Sequence, residues 1–494
     1  MVRILNKTNY DCDVLIVGAG PGGSALATYL SKENIKVLLI DSQSFPRDKV
    51  CGDFVGPVAL AELQKLGITG LEQYPETNVI NKASLYLDGD KIINHPIPRV
   101  EGIPFYGRVI PRIVLDEWIF RKAVECKTTV WENTRLKNYE INGTGVKAEI
   151  SQKGKSRIIN AKLIIGADGS SSTVARIHHG TKPAANDKIL AVRAYYENIN
   201  GPDDQCDLFF TQDSFPGYYW LFPTGNGKAN IGVGMVLETL PKNETHLNEL
   251  LTSLIAKDKG LSARIGNGKA IGKIVGWPLS TYNPKNKIIG NRLLLLGDAA
   301  GLINSLNGEG IQYALLSARW AANTIKECAK QDDFSTAALT PYNNTIGEEL
   351  RYDLALSNMI IQFIRNRTLN PLWMELLRIL VARAKIDKEY AAIAGGILAG
   401  MQPANKALNP KFIIKTILQG MIYVGMNSAS GIVKGPAHWL SLVGKSSKYL
   451  MELSKDIQSH PKGYADWITG IASNGIEISS HILKDVKNQV FKPS

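Results

Sequence analysis

No stretch of eighteen or more uncharged apolar residues occurs in this 494-residue chain, so no membrane-spanning helix is expected and membrane contact, if made, is peripheral. Cysteine is sparse. Cys12, Cys51, Cys126, Cys206 and Cys328 form no CxxC pair and have no histidine cluster beside them. That excludes a disulfide framework and a zinc site, and it points to a reducing, cytoplasmic compartment with no bound metal. The first ten residues, MVRILNKTNY, hold neither the long apolar core nor the small-residue cleavage site of a secretory signal. Internal repeats, low-complexity tracts and nucleic-acid-binding motifs are missing as well, so nucleic acid is not an expected partner.

Acidic residues are outnumbered, and the formal net charge is +12. The excess is uneven: residues 401–494 hold eleven lysines and five acidic residues. Such a distribution fits either solvated helical faces or attraction to an anionic membrane or substrate. A hydrophobic content of 44% with 45 glycines fits a globular chain, and the length calls for two or three domains.

What is present begins with a βαβ pattern. Asp13 to Val17 is apolar and β-rich, GAGPGG follows, Ser24 to Leu30 has helical spacing, and Lys36 to Ile40 reads as a second buried strand. Gly18, Gly20 and Gly23 supply GxGxxG between strand and helix, with Gly22 beside them. In that context the first glycine permits the turn, the second lets a pyrophosphate approach the backbone, and the third allows close packing of helix on strand. Asp41, ending the second strand, is placed to bind an adenosine ribose. The phosphates would sit at the helix N-terminus, where unpaired N–H groups and the helix dipole favour negative charge.

Two further apolar runs, Lys162 to Ile165 and Arg292 to Leu296, end in GADGS and GDAAG, which carry Asp168, Gly297 and Asp298. A carboxylate at such a strand end can bind a ribityl hydroxyl, and the Gly308-Glu309-Gly310 start of the next helix offers backbone donors to an electron-rich ring edge. Taken singly, each is also an ordinary strand-to-helix turn with a capping aspartate. Strand ends of an open parallel sheet share one edge, so all three are expected to converge on one site. Arg112 and Asp116 open another helical run; the arginine can offer a planar fork to phosphate or ribose oxygens, although an Arg/Asp pair at this spacing is also common on helix surfaces.

The set GAGPGG, Arg112 with Asp116, GADG and GDAAG resembles the class A flavoprotein superfamily of aromatic hydroxylases, flavin halogenases and geranylgeranyl reductases, over about 330 of the 494 residues. The resemblance implies FAD, held chiefly by Gly18, Gly20, Gly23, Asp41, Arg112 and Asp298. Two stretches are similar to the geranylgeranyl reductase branch. Lys49-Val50-Cys51-Gly52-Asp53 looks like its flavin-proximal Cys-Gly loop, which implies cofactor contacts at Cys51 and Gly52. Pro216 to Pro223 looks like its YxWxFP substrate signature. Tyr218, Trp220 and Phe222 alternate along one strand and share a face, an aromatic wall suited to a long apolar chain or, equally, to an ordinary sheet core. One departure stands out: where the family often has proline after GDAAG, this chain has Asn304-Ser305-Leu306, which predicts a differently restrained loop.

The expected fold is α/β, with a Rossmann-type FAD-binding domain (1–75, 100–188 and 286–335), an inserted antiparallel β-sheet substrate domain (76–99 and 189–285) and a C-terminal helical region (336–494) broken at Pro371, Pro403, Pro410, Pro436 and Pro461. The expected reaction is reduction of carbon–carbon double bonds in a prenyl or related lipophilic substrate, with Cys51, Asp53 and Tyr218 as candidate proton donors. A monooxygenase or halogenase is the alternative, with Lys82 a loose candidate for a halogenase lysine; a non-catalytic FAD-containing lipid carrier is the third reading. A single GxGxxG leaves NAD(P)H as a transient electron donor, or ferredoxin in its place.

Overall fold

The computed structural model describes residues 10–181, 188–242, 246–402 and 451–490, with positions 406, 415, 418, 448 and 449. Pro403, Pro410 and Pro436 lie outside the described residues. Two compact units result: Met1–Val79 with Gly107–Ile189 and Gly276–Leu350, and Ile80–Tyr106 with Leu190–Val275 and Arg351–Ser494. The helices from Arg351 onward thus fall with the inserted sheet in one unit.

In the first unit, the sheet runs Ile289–Gly290, Leu293–Leu295, Lys155–Gly166, Cys12–Val17, Val37–Ile40, Thr129–Trp131. All neighbours from Leu293–Leu295 to Thr129–Trp131 are parallel. Their continuous Val, Ile and Leu content is what a parallel strand covered on both faces requires. Val17 is in register with both Gly166 and Ile40, and Gly166 with Leu295. The GAGPGG, GADGS and GDAAG turns therefore leave the sheet at one edge, as the sequence predicted. Helix Pro21–Lys32 packs against helices Ile311–Gln331 and Arg112–Glu125.

The second unit is built on a seven-stranded sheet in the order Lys269–Ser280, Lys188–Glu197, Lys228–Val236, Tyr218–Gly225, Gln205–Phe210, Lys82–Leu87, Asp90–Pro96. Antiparallel hairpin pairs dominate, but Gln205–Phe210 runs parallel to Lys82–Leu87, because these neighbours come from separate excursions of the chain. One face is apolar core: Phe209, Tyr219, Leu221, Ile231 and Val233 pack with Leu250, Leu251 and Leu254 of helix Leu247–Lys257. The C-terminal helices include Asn370–Ile386, which Pro371 opens, and the thirty-residue Pro461–Val490, which Pro461 opens. A proline at a helix start loses no hydrogen bond, so these two expected breaks are helix beginnings.

Candidate functional site

The glycine turn divides its labour residue by residue. Gly18 has φ +102°, and a Cβ there would press into Ala167 and Asp168. A Cβ on Gly23 would overlap the Gly18 carbonyl, and one on Gly22 would strike the Leu296 side chain. Gly20 differs: a Cβ there would meet only Arg47 Nη2, at an ordinary contact distance of 3.7 Å. Gly20 also caps helix Pro21–Lys32 without a side-chain hydrogen bond, and no acidic residue occupies the first turn. An uncapped helix start, an open approach over one glycine and a neighbouring guanidinium suit a pyrophosphate. The Arg47 Nε is buried without a hydrogen-bond partner, a polar atom in position for a ligand.

Asp41 does more than await a ribose. Its carboxylate accepts from Ala19 N at 2.8 Å and Gln43 N at 2.9 Å, which ties the glycine turn to the second strand. Arg47 lies 3.8 Å from Asp41 and 3.2 Å from Asp116, and Asp116 accepts from Arg112 Nε at 2.6 Å and Nη2 at 2.9 Å. Far from a helix-surface pair, Arg112 and Asp116 are buried. The Arg112 fork expected to reach phosphate or ribose is thus engaged with Asp116, and its charge also acts on the Cys51 thiol. Burial pushes the Cys51 thiol up, against the pull of that guanidinium. A thiol held protonated can give a proton away.

Asp53 is fully buried, with φ 64°, and accepts from Arg112 N at 3.2 Å at the start of helix Arg112–Glu125. The carboxylate fastens the Cys51–Gly52 loop to that helix, a positioning task. Asp168 is likewise engaged: it accepts from Ser172 Oγ, from Thr173 N at 2.7 Å and from Val174 N at 3.4 Å. Its oxygens therefore close the first turn of helix Thr173–His179, the capping role that such a turn allows. Asp298 instead accepts from Ser170 Oγ at 3.2 Å and lies beside Gly310, whose missing Cβ would stand 3.3 Å from Asp298 Oδ1. Gly297 and Gly308 both take positive φ in this loop.

The Asn304-Ser305-Leu306 departure has a structural answer. Asn304 Oδ1 accepts from Leu306 N at 2.9 Å, Asn304 O accepts from Gly308 N at 2.9 Å, and Asn304 N donates to Glu309 O at 3.0 Å. A side-chain turn supplies the restraint that proline would have supplied through its ring.

Three residues escaped selection from the sequence. Lys49 sits with its ammonium 4.4 Å over the Trp277 ring, and burial lowers its pKa while Asp298 partly offsets this. Arg47 is described above. Glu309 accepts from Gln312 N at 3.1 Å, yet burial raises its carboxyl to about 7. Arg47 adjoins, and Lys49 opens, the Cys-Gly loop, and Glu309 lies in the glycine-rich helix start, so proximity to those motifs was the available signal. Because the folded-state pKa of Glu309 is raised, the native state keeps a proton that the unfolded chain has lost. Stability should therefore fall as pH rises from about 4.5 to about 7, by roughly 2 kcal/mol once partial exposure is allowed for. Denaturant titrations across that range should show the fall in the wild type and a flatter profile in Glu309→Gln.

In the second unit, Tyr218, Trp220 and Phe222 share one face as expected. Ring centroids are 6.2 Å apart for Tyr218 and Trp220 and 6.1 Å for Trp220 and Phe222. The Trp220 indole lies where a Gly232 side chain would be, and its Nε1 donates to Asn230 Oδ1 at 3.0 Å. Phe210, 5.9 Å from the Tyr218 ring, packs against a cluster that includes Leu87, Phe215 and Met374 of helix Asn370–Ile386. Lys82 is paired with Asp204 at 3.2 Å.

Residues 11–332 match the family described as FAD binding domain. Among relatives, a menaquinone reductase of Mycolicibacterium smegmatis is 31% identical over 64% of this chain and 77% of its own. A digeranylgeranylglycerophospholipid reductase of Thermoplasma acidophilum is 29% identical over 68% of this chain and 83% of its own. Among solved structures, a geranylgeranyl bacteriochlorophyll reductase-like protein from Thermoplasma acidophilum superposes with a TM-score of 0.61 at 25% identity, over 82% of this chain and 95% of that one.

Proposed function

From the premise that this chain belongs to the FAD-binding domain family, as an FAD-dependent oxidoreductase of geranylgeranyl reductase type, we propose that it saturates carbon–carbon double bonds in a polyprenyl chain. The aromatic stripe Tyr218–Trp220–Phe222 carries this reading: three rings in file offer a largely apolar, shape-tolerant surface to a prenyl chain, with the Trp220 indole N–H already satisfied by Asn230. The names of the relatives, which reduce a prenyl lipid or a menaquinone, support the same substrate class.

The flavin, when bound and reduced, supplies hydride to one alkene carbon. The other carbon takes a proton, and an isolated alkene accepts hydride poorly unless that proton arrives with it. Cys51 is our candidate donor, its sulfur accepting from Asp53 N at 3.4 Å and its thiol kept protonated by burial. Gly18, Gly20, Gly22, Gly23 and Arg47 would hold the pyrophosphate, Asp41 the adenosine ribose and Asp298 the ribityl chain, while Gly52, Gly297, Gly308 and Gly310 leave room for the ring. Asp53 and Asp168 act as positioning residues. NAD(P)H, bound transiently, or ferredoxin would return the two electrons after each turnover. Contact with a membrane surface belongs to the same proposal, since a polyprenyl lipid resides there.

Anaerobically reduced holoenzyme mixed with a geranylgeranyl lipid or a menaquinone should yield products two mass units heavier per bond saturated. A hydroxylated or halogenated product, formed when oxygen and halide are admitted, would instead identify an oxygenase or halogenase. The pairing of Lys82 with Asp204 gives the halogenase reading no support. Flavin that reduces but never reoxidises on any polyprenyl lipid would identify a carrier. Cys51→Ala should retain FAD and lower kcat by about 10²–10⁴, with Cys51→Ser partly active and its pH profile shifted. An unchanged kcat in Cys51→Ala would remove Cys51 from the chemistry.

A further inference from the structure

Three cations gather near the glycine turn and the Cys-Gly loop, and two of them are answered within the chain. Arg112 is held by Asp116 through two bonds, and Arg47 reaches Asp116 at 3.2 Å and Asp41 at 3.8 Å. Lys49 is the third. Among the described residues its ammonium makes neither a hydrogen bond nor an ion pair, although it is partly buried. It lies instead 4.4 Å over the Trp277 ring. An aromatic face compensates a cation less fully than a carboxylate does, so the site keeps an unmet demand for negative charge.

Position selects the anion. Lys49 Nζ stands 3.8 Å from where a Cβ on Gly169 would be, and Ser170, the next residue, donates to Asp298 Oδ2 at 3.2 Å. Burial lowers the pKa of the ammonium, and of the carboxylates that oppose this Asp298 acts most strongly, ahead of Asp116. Cys51 and Gly52 follow Lys49 closely in the same loop. Asp298 and Gly52 are the residues assigned above to the ribityl chain and the ring, whereas the pyrophosphate falls to the glycine turn and Arg47. In FAD the ribityl chain joins pyrophosphate to ring, so a cation beside Asp298 and the Cys-Gly loop belongs to the ring end.

Oxidised flavin is neutral. It takes two electrons, from NAD(P)H or ferredoxin, and one proton at N5, and then carries one negative charge shared by N1 and the adjacent carbonyl. A nearby cation favours that form over the oxidised one. We propose that Lys49 is the counter-charge to the reduced flavin ring, so that it raises the reduction potential and leaves the affinity for oxidised FAD nearly unchanged. The proposal rests on the cofactor placement given above and adds the residue that sets how readily the ring is reduced.

The test is a reductive titration of full-length holoenzyme against a dye of known potential, paired with a fluorescence titration of apoprotein with oxidised FAD. Lys49→Met should bind reduced FAD about a hundredfold more weakly relative to oxidised FAD, which lowers its potential by about 59 mV at about 29.6 mV per tenfold. Lys49→Arg should retain most of the wild-type potential, and both variants should bind oxidised FAD within about threefold of wild type. Lys49→Met apoprotein should melt no lower than wild type, because it loses a cation that has no acceptor. Lys49→Gln repeats the measurement if methionine disturbs the loop. An unshifted potential overturns the proposal. So does an equal loss of affinity for oxidised and reduced FAD, which would give Lys49 to the pyrophosphate. Normal FAD affinity in Gly20→Ala would overturn the cofactor placement and this proposal together. None of these measurements involves an alkene, so the expected shift in a protein that saturates no prenyl chain supports the role of Lys49 and overturns the substrate reading alone.

Discussion

Asp116→Asn is expected to cost about 3–5 kcal/mol of stability, a large share of the 5–15 kcal/mol typical of a folded protein. Asp116 is fully buried and accepts from two guanidiniums, Arg112 through two bonds and Arg47 through one. Asparagine keeps the shape but removes the charge, which leaves the buried Arg112 and the partly buried Arg47 facing an amide. The cost of breaking a buried pair lies mainly in the partner left uncompensated, here Arg112, since Arg47 keeps Asp41 at 3.8 Å. Denaturant unfolding of the FAD-loaded protein measures the loss, and Lys330→Ala provides the contrast. Lys330 pairs with Glu327 in the open, where such a pair contributes little, so its loss should fall within about 0.5 kcal/mol. A cost below about 1 kcal/mol for Asp116→Asn would show that water reaches the cluster.

The second large effect separates two glycines that the GxGxxG pattern treats alike. Gly23→Ala should weaken both the fold and the cofactor, because its Cβ would overlap the Gly18 carbonyl and the turn must open to admit it. FAD affinity should fall by at least a hundredfold, about 3 kcal/mol. Gly20→Ala should leave the apoprotein near wild-type stability, since its Cβ meets only Arg47 Nη2 at an ordinary contact distance, and still impair FAD binding by blocking the approach of the pyrophosphate. Thermal unfolding of the apoprotein and a fluorescence titration with FAD distinguish the two. Normal FAD affinity in Gly20→Ala would place the phosphates elsewhere.

The parts of this architecture that were legible share a physical basis: they are written in residues close together along the chain. The glycine spacing, the strand hydrophobicity and the alternation of Tyr218, Trp220 and Phe222 each reflect a local backbone period, and the structure places each in the expected element. Register then follows from topology, since consecutive parallel strands present their carboxyl ends at one edge. The parallel pairing of Gln205–Phe210 with Lys82–Leu87 was not legible, because no local pattern records which excursion of the chain lands beside which.

The candidate site divides the same way. Motifs identified the loops that bear Asp41, Cys51, Asp168 and Asp298, but a motif assigns an aspartate to a ligand or to a helix cap with equal ease. Only the folded backbone shows that Asp168 is spent on helix Thr173–His179 and Asp53 on the first turn of Arg112–Glu125, while Asp298 keeps company with Ser170 and Gly310. Arg47 became visible through Asp116, a partner 69 positions away, and Lys49 through Trp277, more distant still.

Sequence alone pointed to a dinucleotide-binding domain, because backbone approach to a pyrophosphate demands glycines at set intervals after a strand, and the flavin came from the resemblance of the whole motif set. Tertiary structure decided how each charge is used, because an ion pair depends on distance in space, and distance in space between residues far apart in the chain is set by the packing of the whole sheet and its helices.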